Sequence, residues 1–317
     1  GTESGRVDRH SARVRRIAQS KTTTSLASAP ASPQTLKKAT MPPSMASGPV
    51  LATFWDLAAV DEGKRLTAAA TLVTLLTEEQ AKEGDATPCG DLTYAVRRLV
   101  RGLASSRDGA RQGFGAALIE VLRTFEAVDL TTVLSVMEES MALHGSMHGA
   151  EERDALFGRI FTCASVLRSG RLASLPSGRC ASLAASISKE LAYCANKKSF
   201  LQELCATLQC TLIDTLPIDQ VQSAVWPNIS PLLTVPLAEW SAHALPLAFR
   251  LCRKLPPATL TALLPHVSLH KGQLLSLTNL PALVGPLKTA SVAHPRLHAV
   301  WDDILDYGLT TSTASAA

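Results

Sequence analysis

Aromatic residues are scarce in this chain: four Trp, three Tyr and seven Phe amount to 4% of 317 residues. Sheets draw their faces from Val, Ile, Tyr and Phe, so this scarcity argues against an extensive one; abundant Leu and Ala instead fill helix–helix seams. No apolar run reaches the roughly 18 residues that span a bilayer, and no membrane partner is expected. The seven cysteines (Cys89, Cys163, Cys180, Cys194, Cys205, Cys210 and Cys252) are odd in number and contain no CxxC pair. Most fall on apolar helix faces, which fits reduced, buried thiols of a nuclear or cytosolic protein and not a disulfide framework. Also missing are a GxxxxGK[ST] phosphate loop, a GxSxG nucleophile elbow and a GxGxxG after a strand. The expectation is a protein that is not an enzyme and carries no cofactor.

What charge there is lies unevenly. Residues 1–48 hold eight Lys/Arg against two Asp/Glu, leaving the remainder close to neutral within a total of +4. This basic stretch, rich in Ser, Thr, Ala and Pro, is expected to be disordered. Its Arg- and Ser-rich segment reads equally as an organelle transit peptide or a basic nuclear-type tail. Residues 49–310 are expected to form a helical-repeat domain, the N-terminal part of a longer array, and 311–317 a disordered end.

Apolar periodicity places helices almost continuously from Phe54. Phe54, Trp55 and Leu57 read as an anchor. Leu66, Ala69, Ala70, Val73 and Leu76 form a stripe after a candidate cap at Asp61. Leu92, Ala95, Leu99 and Leu103 stripe one helix, and Ala110, Phe114, Ala117, Val121, Leu122 and Phe125 the next. Asp129 caps a helix carrying Leu130, Val133, Leu134, Met137 and Met141; Ser169-Gly170 stops the one after it. Beyond Pro217 the prolines suit first turns or kinks of shorter helices, and the last helix is expected from Pro295. Helix pairs that cannot bury their apolar faces alone predict an all-α fold, an α-solenoid of divergent HEAT/armadillo-like hairpins. An irregular helical bundle is the competing architecture.

Arg97, Arg98, Arg101, Arg107 and Arg111 surround the two-serine turn between two of these helices. Neighbouring guanidiniums suit phosphate or partner contacts; the alternative is a solvated face or ties between repeats. Trp301 is a candidate for partner docking, against simple packing of a terminal repeat. His144/His148, His266/His270 and His294/His298 have i,i+4 spacing but lack a third ligand, so no metal site is assigned. Asp302 and Asp303, adjacent on a helix, diverge by about 100° and make poor evidence for a two-metal centre.

Four segments carry a resemblance: FWDLA at 54–58, YAVRRLVRGLASSRDGARQGFGAALIEVL at 94–122, ALFGRIFTCASVLRSGRL at 155–172 and HPRLHAVWDDIL at 294–305. The most specific pattern is RL-x-x-GL-x-SSR-x-x-AR-x-GF. It runs through Arg98, Leu99, Gly102, Leu103, Ser105, Ser106, Arg107, Ala110, Arg111, Gly113 and Phe114. Together they resemble the DNA polymerase phi/Myb-binding protein 1A family over roughly residues 50–308. The resemblance implies a nuclear, mainly nucleolar helical-repeat protein that regulates rRNA transcription and ribosome biogenesis. Implied partners are proteins of rRNA transcription or pre-ribosome assembly, with DNA or RNA reached through basic residues. A polymerase-type activity, as the family name implies, is the alternative; this chain shows no polymerase carboxylate motif. The family's acidic stretch and basic C-terminal tail have no counterpart here.

Overall fold

The computed structural model describes residues 46–84, 86–270, 272–292 and 298–306. Expectations for the tail before residue 46, for 311–317 and for a helix start at Pro295 lie outside the described residues. Those residues are all-α, with no strand beyond an isolated bridge between His270 and Gln273.

The first helices are α1 Gly48–Leu57, α2 Glu62–Glu83, α3 Gly90–Gly102, α4 Asp108–Thr124, α5 Leu130–Ser140, α6 Gly149–Arg168, α7 Ser177–Lys197 and α8 Gln202–Thr215. Short links fold the second helix of each pair back onto the first. Thus α1 packs on α2, α3 on α4, α5 on α6 and α7 on α8. Helix α2 also packs on α4, α4 on α6 and α6 on α8, while α3 packs on α5. Successive hairpins therefore stack side by side, each closing the apolar face its neighbour leaves open. This is the solenoid arrangement that the paired stripes predict.

Past Pro217 the stacking loosens. Helix α9 Ile218–Gln220 runs through a π turn at Val221–Val225 into α10 Trp226–Leu233. Pro227 cannot donate to the Ser223 carbonyl one turn back, so the helical ladder widens just before it. Helices α11 Ala244–Lys254, α12 Pro257–Leu263 and α13 Leu280–Ser291 follow, and residues 300–306 are helical. Helix α11 packs on α8 and so extends the row.

Most stripes bury as their spacing predicts. Every apolar position named above for α3 to α5 is buried, including Leu103, Phe125 and Met141 at the helix ends. Asp61 accepts from the Lys64 backbone N–H at 2.6 Å, and Asp129 from Thr131 at 3.4 Å. Gly170 takes a φ of 78° where α6 ends.

Three expectations need correction. First, the folded body begins before residue 48: Ala46 is buried, and Ser47 Oγ donates to Asp91 at 2.7 Å. Second, Phe54 and Leu57 anchor α1 while Trp55, about 100° further round, is 80% exposed. Third, α2 is turned by one position: Leu66 and Ala70 face outward, and Arg65, Ala68, Ala69, Leu72, Leu76 and Gln80 face the core. Polar groups explain that rotation. Arg65 donates to the Ala59 and Val60 carbonyls at 3.1 and 2.6 Å and to Gln112 Oε1 at 2.9 Å. Gln80 holds Cys89 N–H at 2.9 Å and the Thr87 carbonyl at 2.8 Å. An apolar period cannot register a guanidinium and an amide that are buried because they are satisfied.

Glycines of the resembling segments sit where helices touch. A Cβ on Gly102 would lie 2.6 Å from the Phe114 ring, and one on Gly158 would lie 2.6 Å from Met141 Sδ. On Gly113 it would overlap the Leu57 carbonyl oxygen, so α4 meets the end of α1 backbone to side-chainless backbone.

Six cysteines are buried and Cys252 is half-buried, all as free thiols. Burial pushes the Cys205 and Cys252 thiols up to about 12 and raises Cys163, Cys194 and Cys210 too. Since the thiolate is the nucleophile, iodoacetamide at about pH 8 should label the native chain at least about 100-fold more slowly than the unfolded chain. Mass spectrometry over time checks this; fast modification of several native thiols would contradict it.

Candidate functional site

On α3 the apolar residues Leu92, Ala95, Val96, Leu99 and Val100 turn inward. That split leaves Arg97, Arg98 and Arg101 on the exposed side, at helical spacing. With Tyr94, Gly102 and Phe114 they line a depression of about 330 Å³. Its floor is aromatic. Phe54 stacks on Phe114 at 6.4 Å and meets Tyr94 edge-on at 6.2 Å, and the Arg98 guanidinium lies 5.3 Å from the Phe54 ring centre. Arg101 Nε reaches Ser140 Oγ at 3.4 Å. Among the described residues no carboxylate forms an ion pair with Arg97, Arg98 or Arg101.

The other two arginines of the elbow point elsewhere. Arg107 precedes α4 and lines a separate depression of about 260 Å³ with Arg65 and Val60. Arg111 turns inward. It pairs with Asp108, donates to the Ser105 carbonyl at 2.6 Å, and lies 3.8 Å from Asp154 and 5.0 Å from the Phe157 ring centre on α6. Burial lowers its pKa against the opposing pull of Asp154. Arg111 is thus a tie between the α3–α4 and α5–α6 hairpins.

Such ties recur. Arg159 on α6 forms a two-pronged pair with Glu190 on α7 at 2.5 and 2.7 Å and donates to the Met141 carbonyl at 3.0 Å. Burial opposes its charge, but the hydrogen bonds and charge of Glu190 outweigh this and raise its pKa. Arg171, in the SGRL segment, donates to the carbonyls of Phe125, Glu126 and Val128 at 3.1, 2.9 and 2.7 Å, and so closes the end of α4. Against this background the unpaired trio on α3 stands apart.

Trp301 is half-buried against the core, and its Nε1 is enclosed without an acceptor among the described residues. That is the setting of a packing residue. The exposed tryptophan is Trp55, expected with Phe54 and Leu57 in the N-terminal anchor; nothing in a short helix's apolar count distinguishes it from Phe54. Asp302 is exposed, whereas Asp303 is buried between Arg250 Nε at 2.9 Å and Arg253 Nη2 at 2.5 Å. Burial raises the Asp303 pKa while the two guanidiniums pull it down. The adjacent acids therefore have separate surroundings, one of them structural.

His144/His148 and His266/His270 lie outside helices, so their spacing presents no shared helical face. His298 pairs instead with His243, Nε2 to Nδ1 at 2.9 Å; His294 lies outside the described residues. The Val300 N–H donates to His298 Nδ1 at 3.1 Å, so the His298 proton sits on Nε2 and is donated to His243. Neutral His243 then carries its own proton on Nε2. Burial lowers the His243 pKa, helped by His298 and opposed by Glu203. A depressed histidine contributes stability that is complete above its ordinary value of 6.5 and is lost as pH falls through the folded value. Amide exchange at residues 300–306 should accordingly speed up as pH falls from about 7.5 to about 5, after correction for intrinsic exchange. His243→Asn should flatten that dependence; a slope unchanged in the variant would refute the assignment.

The family described as DNA polymerase phi matches residues 94–316. The chain is 28% identical over 246 residues to the rDNA transcriptional regulator pol5 of Schizosaccharomyces pombe, covering 74% of this chain and 24% of that protein. It is 29% identical over 249 residues to the Myb-binding protein 1A-like protein of Danio rerio, covering 75% of this chain and 18% of that protein. With Myb-binding protein 1A of Mus musculus it shares 33% over 119 residues, 38% of this chain and 8% of that one. No solved structure matches it. The chain therefore spans about a quarter or less of these relatives' lengths. The glycine contacts at 102, 113 and 158 and the Arg111 and Arg171 ties all fall inside the matched region, which covers well over half of the sequence: the chain belongs to the DNA polymerase phi family.

Proposed function

We propose that this chain is the scaffold portion of a nucleolar regulator of rRNA-gene transcription and ribosome biogenesis, acting by binding and not by catalysis. The names of its relatives support the regulatory reading: rDNA transcriptional regulators in two yeasts and Myb-binding proteins in animals. Stacked hairpins supply long surfaces to several partners without needing a reactive residue. The single observation that carries a contact is the α3 trio, three exposed guanidiniums, that of Arg98 over the Phe54 ring, with no carboxylate partner among the described residues. Such an array suits the phosphates of DNA or RNA, with Arg107 as an outlying contact. Trp55 and Val60, 80% and 94% exposed, offer an apolar contact for a protein partner near the first hairpin.

Cells carrying Arg97→Glu, Arg98→Glu and Arg101→Glu together should incorporate label into pre-rRNA several-fold more slowly, with protein abundance unchanged. Exposed substitutions of this kind leave the fold within about 0.5 kcal/mol each. Normal pre-rRNA labelling in that strain would count against the reading. Metal-dependent primer extension by the purified chain, abolished by substituting the exposed Asp302 alone (Asp302→Ala), would favour a polymerase instead.

A further inference from the structure

A third cavity, of about 100 Å³, opens between α7, α8, α10 and α11. Leu191, Ala195, Ile229, Leu232 and Leu247 give it apolar walls; Asn196, Gln202, Asn228 and Ser241 also line it, with buried Gln209 and half-buried His243. Gln209 is 3% exposed. Its orientation is fixed, because Nε2 donates to the Ser188 carbonyl at 2.8 Å and so must be the amide nitrogen. That bond leaves Gln209 Oε1 enclosed with no donor among the described residues. Buried acceptors are almost always satisfied, and one lining a cavity is satisfied by what enters it. His243 supplies the complement: its Nδ1 is occupied by His298, so the ring's N–H is Nε2–H, and among the described residues no acceptor takes it.

Beside its apolar walls the cavity thus holds an unpartnered acceptor, Gln209 Oε1, and a donor, His243 Nε2–H. A peptide unit offers the matching N–H and C=O. The space equals about three to four water molecules at roughly 30 Å³ each, which suits a four-carbon branched side chain. We infer that this cavity is a docking pocket for a leucine of an extended partner peptide, the isobutyl group filling it and the flanking amide bonding Gln209 Oε1 and His243 Nε2.

The test uses the full chain, ¹⁵N-labelled, titrated with N-acetyl-leucine N-methylamide as the probe. The Gln209 side-chain amide and the Leu191 and Leu247 backbone signals should shift saturably. Ala195→Leu, which fills the pocket without touching either hydrogen-bonding group, should abolish the shifts while the rest of the spectrum stays native. Replacing both probe amides by esters removes the donors and should weaken binding about tenfold or more. No saturable shift at these residues overturns the proposal and leaves the cavity to water. Equal binding by the Ala195→Leu chain, or by the ester, overturns it as well.

Discussion

Gly113→Ala is expected to destabilise the chain by about 3 kcal/mol or more, the upper end of the range for overpacked sites. An added methyl would overlap the Leu57 carbonyl oxygen, a backbone atom held by the end of α1, and would also press on Arg65 Cδ at 3.1 Å. No side chain can rotate away to make room. Either α1 lifts from α4, exposing Phe54 and Leu57, or Arg65 leaves the Ala59 and Val60 carbonyls it satisfies. Gly115, on the same helix, is the internal control. A Cβ there meets only Leu103 Cδ2 at an ordinary 3.6 Å, so Gly115→Ala should gain the helix-propensity difference, up to about 1 kcal/mol. Thermal or urea melts of both variants check the pair, and equal effects of the two changes would show that α1 does not meet α4 as described.

Arg159→Met is the second large effect. The guanidinium is 11% exposed and Glu190 12%, and removing it strands both that carboxylate and the Met141 carbonyl. Breaking a buried pair from one side costs about 3–5 kcal/mol. Cys163, Cys194 and Cys205 crowd the same region, and Cys194 Sγ donates to Glu190 Oε1 at 3.3 Å, a weak thiol bond that does not replace a guanidinium. Arg159→Met/Glu190→Met should recover at least about half of the loss, because desolvating two charges is itself unfavourable. A double variant as unstable as the single one would mean that Arg159 acts through the Met141 carbonyl alone.

These two sites show what the sequence disclosed and what it hid. Regular apolar spacing exposed α3, α4 and α5 residue by residue, since Leu, Val and Ala bury for one reason only, removal from water. The elbow pattern was legible as a motif, but its meaning was mixed. Gly102, Gly113 and Phe114 are packing contacts, Arg111 is a tie, and only Arg97, Arg98 and Arg101 remain on a common open surface. Nothing in local order distinguishes Arg111 from Arg101, because Asp154 and Phe157, its partners, arrive from α6 some forty residues later. Arg65 hid because an apolar period does not register a guanidinium satisfied by the Ala59 and Val60 carbonyls, and so α2 is turned by one position. The His243–His298 pair had no local signal at all: it depends on His298 crossing from the far end of the described chain.

On the proposed reading, the three α3 guanidiniums that no carboxylate pairs among the described residues contact nucleic acid phosphates. The most direct test is the salt dependence of single-stranded RNA binding by the full chain, compared with the Arg97→Glu/Arg98→Glu/Arg101→Glu chain. Both proteins share the same basic tail, so only α3 differs. Three lost phosphate contacts should make the variant's slope of log affinity against log salt shallower by about 2. Parallel slopes, with the variant as tight as the parent at every salt concentration, would contradict the account.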